Sequence, residues 1–425
     1  MLIQFRVKNY LSFKDEVVFS MEATKSSNHE GAVYTSKAGR LLKSSVVYGA
    51  NASGKSNLIK AMYFALHLAV YSINNEIKAQ INTTPFLLST DTDGEGSLFE
   101  FEFIISKKIY RYGFVINKQF IMEEWLYIKP NNDSEFIPLF TRNKQDITVI
   151  DRVIFKEGLE TIAKTRENVL FLSKVADDNG EISKTIVEFF VTKFVFFTTI
   201  GFDRSIGTLL RTQVDIHNII FTEKYNLFIE ALKCADIGIK GILRREMTID
   251  EYPPHMRIHL ESGKIKPLTR IKTTHTKYDA SKQAIGEVEF DLSNNESTGT
   301  QHLVGIFPWI LKILDEGGIL IVDEFEEHLH PLMVKFILDI FNSNEHNPNG
   351  AQLIFNTHNL FILDKDIFRE DQIWFTDKDK FGATDLYSLV DFELPQEFNL
   401  VKFYLNGKFG GIPSIKNFIA NMHSN

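Results

Sequence analysis

The sequence predicts an α/β protein: a mixed-sheet core, an antiparallel β subdomain beside it, and a mainly helical lobe inserted between the two halves of the core. Three observations carry this. Near the N-terminus a short apolar strand (Val46, Val47, Tyr48) runs into a glycine loop and then into a helical pattern. Late in the chain two more apolar runs, Ile319–Val322 and Leu353–Phe355, end in polar residues, as strands buried on both faces do. Within residues 84–128, SLFEFEFII, KIYRYGFVI and IMEEWLYI alternate in the manner of half-buried strands.

The N-terminal MLIQFRVKNYLSF also alternates, so it reads as a further strand of the antiparallel sheet and not as a signal peptide. At 425 residues the chain is long for one compact domain, which favours two subdomains or one large insertion. Its net charge of −8 excludes a generally basic nucleic-acid coat but not a local basic patch. The single cysteine, Cys234, excludes an internal disulfide and a cysteine-based zinc site, and fits a cytoplasmic location. The greasiest run, IVEFFVTKFVFF, is broken by Lys193, so no membrane span is expected.

The loop after the first core strand is Gly49-Ala50-Asn51-Ala52-Ser53-Gly54-Lys55-Ser56, followed by Asn57 and an apolar helical face of Leu58, Ile59, Met62, Ala65 and Leu66. This is G-x-x-x-x-G-K-S in a strand–loop–helix setting, the pattern of a phosphate-binding loop. Small residues let backbone N–H groups converge on phosphate oxygens, and the helix N-terminus adds partial positive charge. Lys55 is expected to reach the β- and γ-phosphates of ATP, and the Ser56 hydroxyl to ligate Mg²⁺.

The run Ile319–Val322 leads into Asp323-Glu324. Taken alone, such a pair equally suits a helix N-cap with a first-turn acid. Downstream of a phosphate loop it suits a metal carboxylate, Asp323, and a residue that orients or deprotonates water, Glu324. Leu353–Phe355 leads into Asn356-Thr357-His358, where His358 is placed to contact the γ-phosphate. A fourth element, DLSNNESTGTQ at 291–301, is too polar for a core and lacks strand alternation; it reads as a loop ending at a helix N-terminus, suited to an anion.

In this order the motifs resemble the ABC-type ATPase heads of the SMC, Rad50 and RecF group. The segments LKCADIGI, ESTGTQ, LIVDEFEEHLHP, AQLIFNTH and YLNGKFGGIP are similar to those of AAA15/AAA21-type ATPases, which include the RloA and AbiL subunits of abortive-infection systems and the PARIS ATPase. The resemblance implies an ABC-type P-loop ATPase head that sandwiches two ATP molecules in a head-to-tail homodimer or higher homo-oligomer. Ser297, Thr298 and Gly299 would then serve the γ-phosphate of ATP held by the other copy, opposite Lys55, Glu324 and His358. It further implies an anti-phage role coupled to a separate effector protein, a nuclease. The alternatives are a DNA-repair or chromosome-maintenance ATPase and a nucleotide-binding scaffold with negligible turnover.

Expected boundaries are 1–128 for the first part of the head, 129–270 for the inserted lobe and 271–425 for the second part. Several features stay outside this frame. Residues 257–282 gather Lys and Arg, which suits nucleic acid, an acidic partner or simply a solvated hairpin face. Asn143-Lys144-Gln145-Asp146 matches a guanine-reading motif but lies among polar loop residues. His328 and His330 follow the Asp-Glu strand where dimer contacts are expected. YLNGKFGGIPSI reads as a structured closing turn. Phe13 is a weak adenine-stacking candidate, and Ser173 a poor stand-in for the glutamine that binds metal in ABC proteins.

Overall fold

Phe99, Phe101 and Phe103 are almost wholly buried, while Leu98, Glu102 and Ile104 between and beside them are partly exposed. That alternation is what a pleated strand with one core face produces. The computed structural model describes residues 1–36, 39–130, 134–197, 225–235, 238–252, 257, 269–327, 329–395 and 398–412. They divide into two compact units, Met1–Thr199 with Ile313–Glu326 and Val334–Asn425, and Ile200–Lys312 with Glu327–Met333.

The first unit holds two large sheets. One is antiparallel, with seven strands in the order Asp146–Val149, Ile137–Asn143, Ile121–Lys129, Lys108–Ile116, Ser97–Ile105, Leu2–Lys8 and Val17–Ser20. The N-terminal strand thus joins the 97–129 strands as its alternation predicts. Its inner face meets two helices: Phe64 of Lys55–Tyr71 lies 5.4 Å from Phe99, and Phe190 of Glu181–Lys193 lies 5.1 Å from Phe103 between ring centroids.

The other sheet has six strands, in the order Phe194–Phe197, Ile319–Val322, Gln352–Asn356, Ser44–Gly49, Ile373–Lys378 and Thr384–Ser388. The first five run parallel and the last is antiparallel. Its central residues Val46, Tyr48, Ile319–Val322 and Leu353–Phe355 are no more than 1% exposed, which accounts for their continuous apolar character. Register then aligns the strand ends. Val322 is opposite Phe355, Asn356 is opposite Val47, and Thr376 is opposite Gly49. The residues just beyond these positions emerge side by side at the carboxyl edge, where open α/β sheets bind ligands.

The described part of residues 129–270 holds more than the helices expected of it. Ile137–Asn143 and Asp146–Val149 extend the antiparallel sheet, and Phe194–Phe197 joins the parallel sheet beside Ile319–Val322. The apolar run at 194–197 continues the pattern of the helix ending at Lys193 with no glycine or proline between, so periodicity alone does not separate them. The Asn143–Asp146 motif is the hairpin turn of the edge strands, with Lys144 at φ 54°. It is a turn signal, not a base-reading loop.

The second unit contains the helix Tyr225–Ala235, a three-stranded antiparallel sheet (Ile239–Glu246, Thr269–Tyr278, Ala284–Asp291), the short helix Leu292–Asn295 and most of the helix Thr298–Glu316. Within the basic stretch 257–282, Lys264 and Lys266 lie outside the described residues. Arg270 pairs with Asp291 at 3.4 Å and Lys272 with Glu289 at 3.1 Å, so these two bases face acids across the hairpin. No described helix is long and apolar enough to cross a membrane.

Candidate functional site

The strand Ser44–Gly49 ends in a loop that curls back on itself. Ala52 adopts a left-handed φ of 63°, and Ser53 N donates to Ala50 O at 3.2 Å. Gly54 has φ 118°, and a Cβ there would lie 2.5 Å from the Thr384 side chain, so only glycine fits the entry to the helix. The Lys55 ammonium donates to the carbonyls of Gly49 (2.9 Å) and Ala50 (3.0 Å). Burial lowers its pKa to about 8, an effect opposed by the nearby Glu326, Glu324 and Asp323.

Register brings the carboxylates to this loop. Ser56 Oγ donates to Asp323 Oδ1 at 2.8 Å, and Asn356 Nδ2 donates to the same oxygen at 2.5 Å. Asp323 is only 1% exposed, yet its Oδ2 has no hydrogen-bond partner among the described residues. A buried carboxylate oxygen is costly without a partner. Paired with the Ser56 hydroxyl, this donor set of hard oxygens fits Mg²⁺.

Glu324 has φ 56°, rare for a residue with a side chain. Asn356 holds it there: its Oδ1 accepts Glu324 N at 2.6 Å, and its carbonyl accepts Phe325 N at 3.2 Å. His358 N donates to Glu326 Oε1 at 2.5 Å. Burial, with Lys55 adding to it and Glu326 opposing, holds the His358 ring below its ordinary pKa, so it is neutral at pH 7.

The phosphate loop, Asp323, Glu324 and His358 therefore share the first unit, while Ser297, Thr298 and Gly299 belong to the second. There, four residues of the polar block form one helical turn, Leu292–Asn295, capped by Asp291 Oδ1 accepting Ser293 N and Asn294 N at 3.1 Å each. Ser297 Oγ accepts Thr300 N at 3.1 Å and so caps the helix Thr298–Glu316. Glu296 accepts hydrogen bonds from Thr273 Oγ1 and, at 2.7 Å, His275 Nε2.

Other expectations resolve more plainly. Phe13 is fully buried in the core and presents no face to an adenine. Ser173 bonds Ala69 O (2.6 Å) and Ser72 Oγ (2.8 Å). Ala69 lies 14 residues beyond Lys55 in the same helix, about 20 Å at 1.5 Å per residue, so Ser173 is no metal ligand. His330 Nδ1 accepts Leu332 N at 3.2 Å at the start of the helix Pro331–Phe341; His328 lies outside the described residues. No group of three metal-binding side chains occurs among the described residues.

Sequence reasoning missed the residues that brace the loop from elsewhere in the chain. Ser53 Oγ and Thr376 Oγ1 lie 2.6 Å apart, and Thr384 Oγ1 lies 2.8 Å from Ser53 O and 2.7 Å from Ser12 Oγ. The described part of the glycine-rich C-terminal segment, up to Ile412, is a structured turn, and it too reaches the loop. A Cβ on Gly411 (φ 61°) would sit 2.9 Å from Thr376 O and 3.3 Å from Gly49 Cα. Its two consecutive glycines were the available signal; the threonines carry none, because their role depends on strand register.

No curated protein matches the chain. Among solved structures, the SMC head domain from Thermotoga maritima is similar, with 13% identity and a TM-score of 0.38 over 92% of this chain and 99% of that one. A family model described as "AAA domain, putative AbiEii toxin, Type IV TA system" matches residues 44–154 and 196–364, taking in the phosphate loop, Ser297, Asp323, Glu324 and His358. With well over half of its length matched, the chain belongs to this AAA_21 family of P-loop ATPases.

Proposed function

We propose that this protein is an ATP-hydrolysing switch that closes as a pair of copies around two Mg-ATP molecules and signals to a separate effector in a bacterial defence system. The observation that carries the ATP chemistry is the Ser56–Asp323–Asn356–Glu324 cluster, with one buried Asp323 oxygen lacking a hydrogen-bond partner among the described residues. Ser56 and Asp323 would hold Mg²⁺, which when bound supplies charge neutralisation at the β- and γ-phosphate oxygens. The loop's backbone N–H groups bind phosphate oxygens, and Lys55 exchanges its two carbonyl partners for them. Glu324, held by Asn356, accepts a proton from the attacking water. His358 donates a hydrogen bond to the γ-phosphate and reports its presence.

The two-copy site rests on the resemblance to ABC-type heads and on the geometry of the loop before Thr298–Glu316. Capping by Ser297 leaves a helix N-terminus with small residues, Thr298 and Gly299, suited to a phosphate of the opposite copy. The family's description as a toxin–antitoxin component supports a defence role, and the similarity to abortive-infection ATPases supports a nuclease as the effector.

The test is the solution mass of Glu324→Gln with and without Mg-ATP. The variant retains ATP, so an ATP-dependent doubling that Ser297→Arg abolishes supports the shared site. The mass of a single copy with ATP bound removes that site from the reading; a mass already doubled without ATP means an assembly pre-formed through another surface. A plaque assay in cells carrying wild type or Glu324→Gln, with the neighbouring genes, tests the defence role: equal protection by both would separate it from hydrolysis.

A further inference from the structure

Glu326 is the third acid of the Asp323-Glu324-Phe325-Glu326 run, and no role follows for it from the motif chemistry above. In the structure the loop 323–326 is stitched to the end of the neighbouring strand by a ladder of bonds. Asn356 holds Asp323 and the Glu324 amide through its side chain, and Phe325 through its carbonyl. Glu326 makes the last of these bonds, accepting the backbone N–H of His358 at 2.5 Å. It is the one that reaches the histidine itself. Its second oxygen, Oε2, is buried without a hydrogen-bond partner among the described residues. Burial dominates the pKa shifts of Lys55, Tyr48 and His358, and Glu326 contributes to each, so the carboxylate lies near these three residues.

A side-chain carboxylate accepting a backbone N–H fixes the chain direction at that residue. His358 follows a strand end, and the helical turn Leu360–Ile362 begins two residues later, so the imidazole has no regular element to orient it. The Glu326 bond constrains the backbone from which it projects. It also ties the residue that contacts the γ-phosphate to the loop that carries Glu324, so that displacement of one is passed to the other.

We propose that Glu326 is a positioning residue: by accepting the His358 amide it locks the histidine loop to the Asp-Glu loop, and so places the imidazole for the γ-phosphate and couples its departure to Glu324. This rests on the reading of His358 as a γ-phosphate contact. Glu326 does not touch the reacting atoms in this scheme; its service is as a hydrogen-bond acceptor, which glutamine can perform and alanine cannot.

The experiment compares wild type, Glu326→Ala, Glu326→Gln, His358→Ala and the Glu326→Ala/His358→Ala double variant in the full chain, by steady-state ATP turnover and by hydrogen exchange of the peptide spanning 356–362. Loss of an outer partner of a catalytic group typically costs about 10- to 100-fold, so Glu326→Ala should lower kcat by that range with KM for ATP within about twofold. Glu326→Gln should recover most of it. The double variant should be no slower than His358→Ala, because both act through one imidazole. In exchange, the His358 amide should lose protection in Glu326→Ala and regain it in Glu326→Gln. Unchanged exchange in Glu326→Ala overturns the lock. Glutamine as slow as alanine overturns the acceptor role in favour of charge. If His358→Ala turns over like wild type while exchange follows the expected order, the lock stands and the γ-phosphate reading of His358 fails.

Discussion

The phosphate loop and the loop at 291–300 are held by opposite means. The first depends on partners hundreds of residues away: Ser53 on Thr376, Ser56 on Asp323, Gly54 on the space left by Thr384, Gly49 on the Gly411 turn. The second is held by its own neighbours, through the Asp291 cap on Ser293 and Asn294 and the Ser297 cap on Thr300, and by Glu296 reaching Thr273 and His275 across a short hairpin. A loop braced by sheet register is rigid as long as the sheet is folded. A loop braced by caps is tuned one hydrogen bond at a time. Chemistry belongs on the first kind and a reversible contact on the second.

The largest expected effect falls on the register-held side. Glu324→Gln should slow ATP turnover by about 100- to 10,000-fold, the range for losing a general base, with ATP binding retained; turnover within a few-fold of wild type would take Glu324 out of the chemistry. Next, Gly54→Ala forces a side chain into a φ of 118° and against Thr384. It should cost about 1–3 kcal/mol of stability in denaturant unfolding and weaken ATP binding in parallel. Loss of stability with unaltered ATP affinity would show that the loop tolerates its brace being moved.

A titration sharpens the same side. Lys55 in the free protein has its pKa lowered to about 8 by burial. Its protonated form binds phosphate, so above pH 8 binding must first recover a proton, and ATP affinity should fall as pH rises, approaching tenfold per pH unit. Calorimetry in buffers of different ionisation heat should show uptake of nearly one proton on binding at pH 9 and only about a tenth of a proton at pH 7; uptake absent at pH 9 would place the Lys55 pKa elsewhere.

On the cap-held side the effects are smaller. Ser297→Ala removes one cap, worth about 1 kcal/mol in thermal unfolding, and should leave ATP binding to a single copy unchanged while weakening ATP-dependent pairing. Smallest is Lys272→Ala, whose Glu289 partner is 45% exposed; it should alter stability by less than about 1 kcal/mol. A larger loss there would mean that the hairpin is held by its charges and not by its strands.

Much of the candidate site was legible before the fold. Gly49–Ser56, Asp323, Glu324 and His358 sit at strand ends marked by apolar runs, and those runs became strands at Ser44–Gly49, Ile319–Val322 and Gln352–Asn356. Less legible was the region after residue 129, where the strand Phe194–Phe197 hides behind a helix of similar composition. Asn356 was read only as the end of a strand, though it fixes the backbone of Glu324.

What the amino-acid sequence determined by itself is the set of local elements: hydrophobic period, glycine at left-handed positions and a capping serine each act within a few residues, so they are written where they act. What only the tertiary structure decided is which distant side chains meet. Thr376 and Thr384 brace the phosphate loop, Asn356 and Glu326 tie two strand ends together, and Gly411 closes on Gly49, because the sheet brings residues from about 30 to more than 300 positions apart to a common edge. No local pattern records that register; it is set when the apolar strands bury one another.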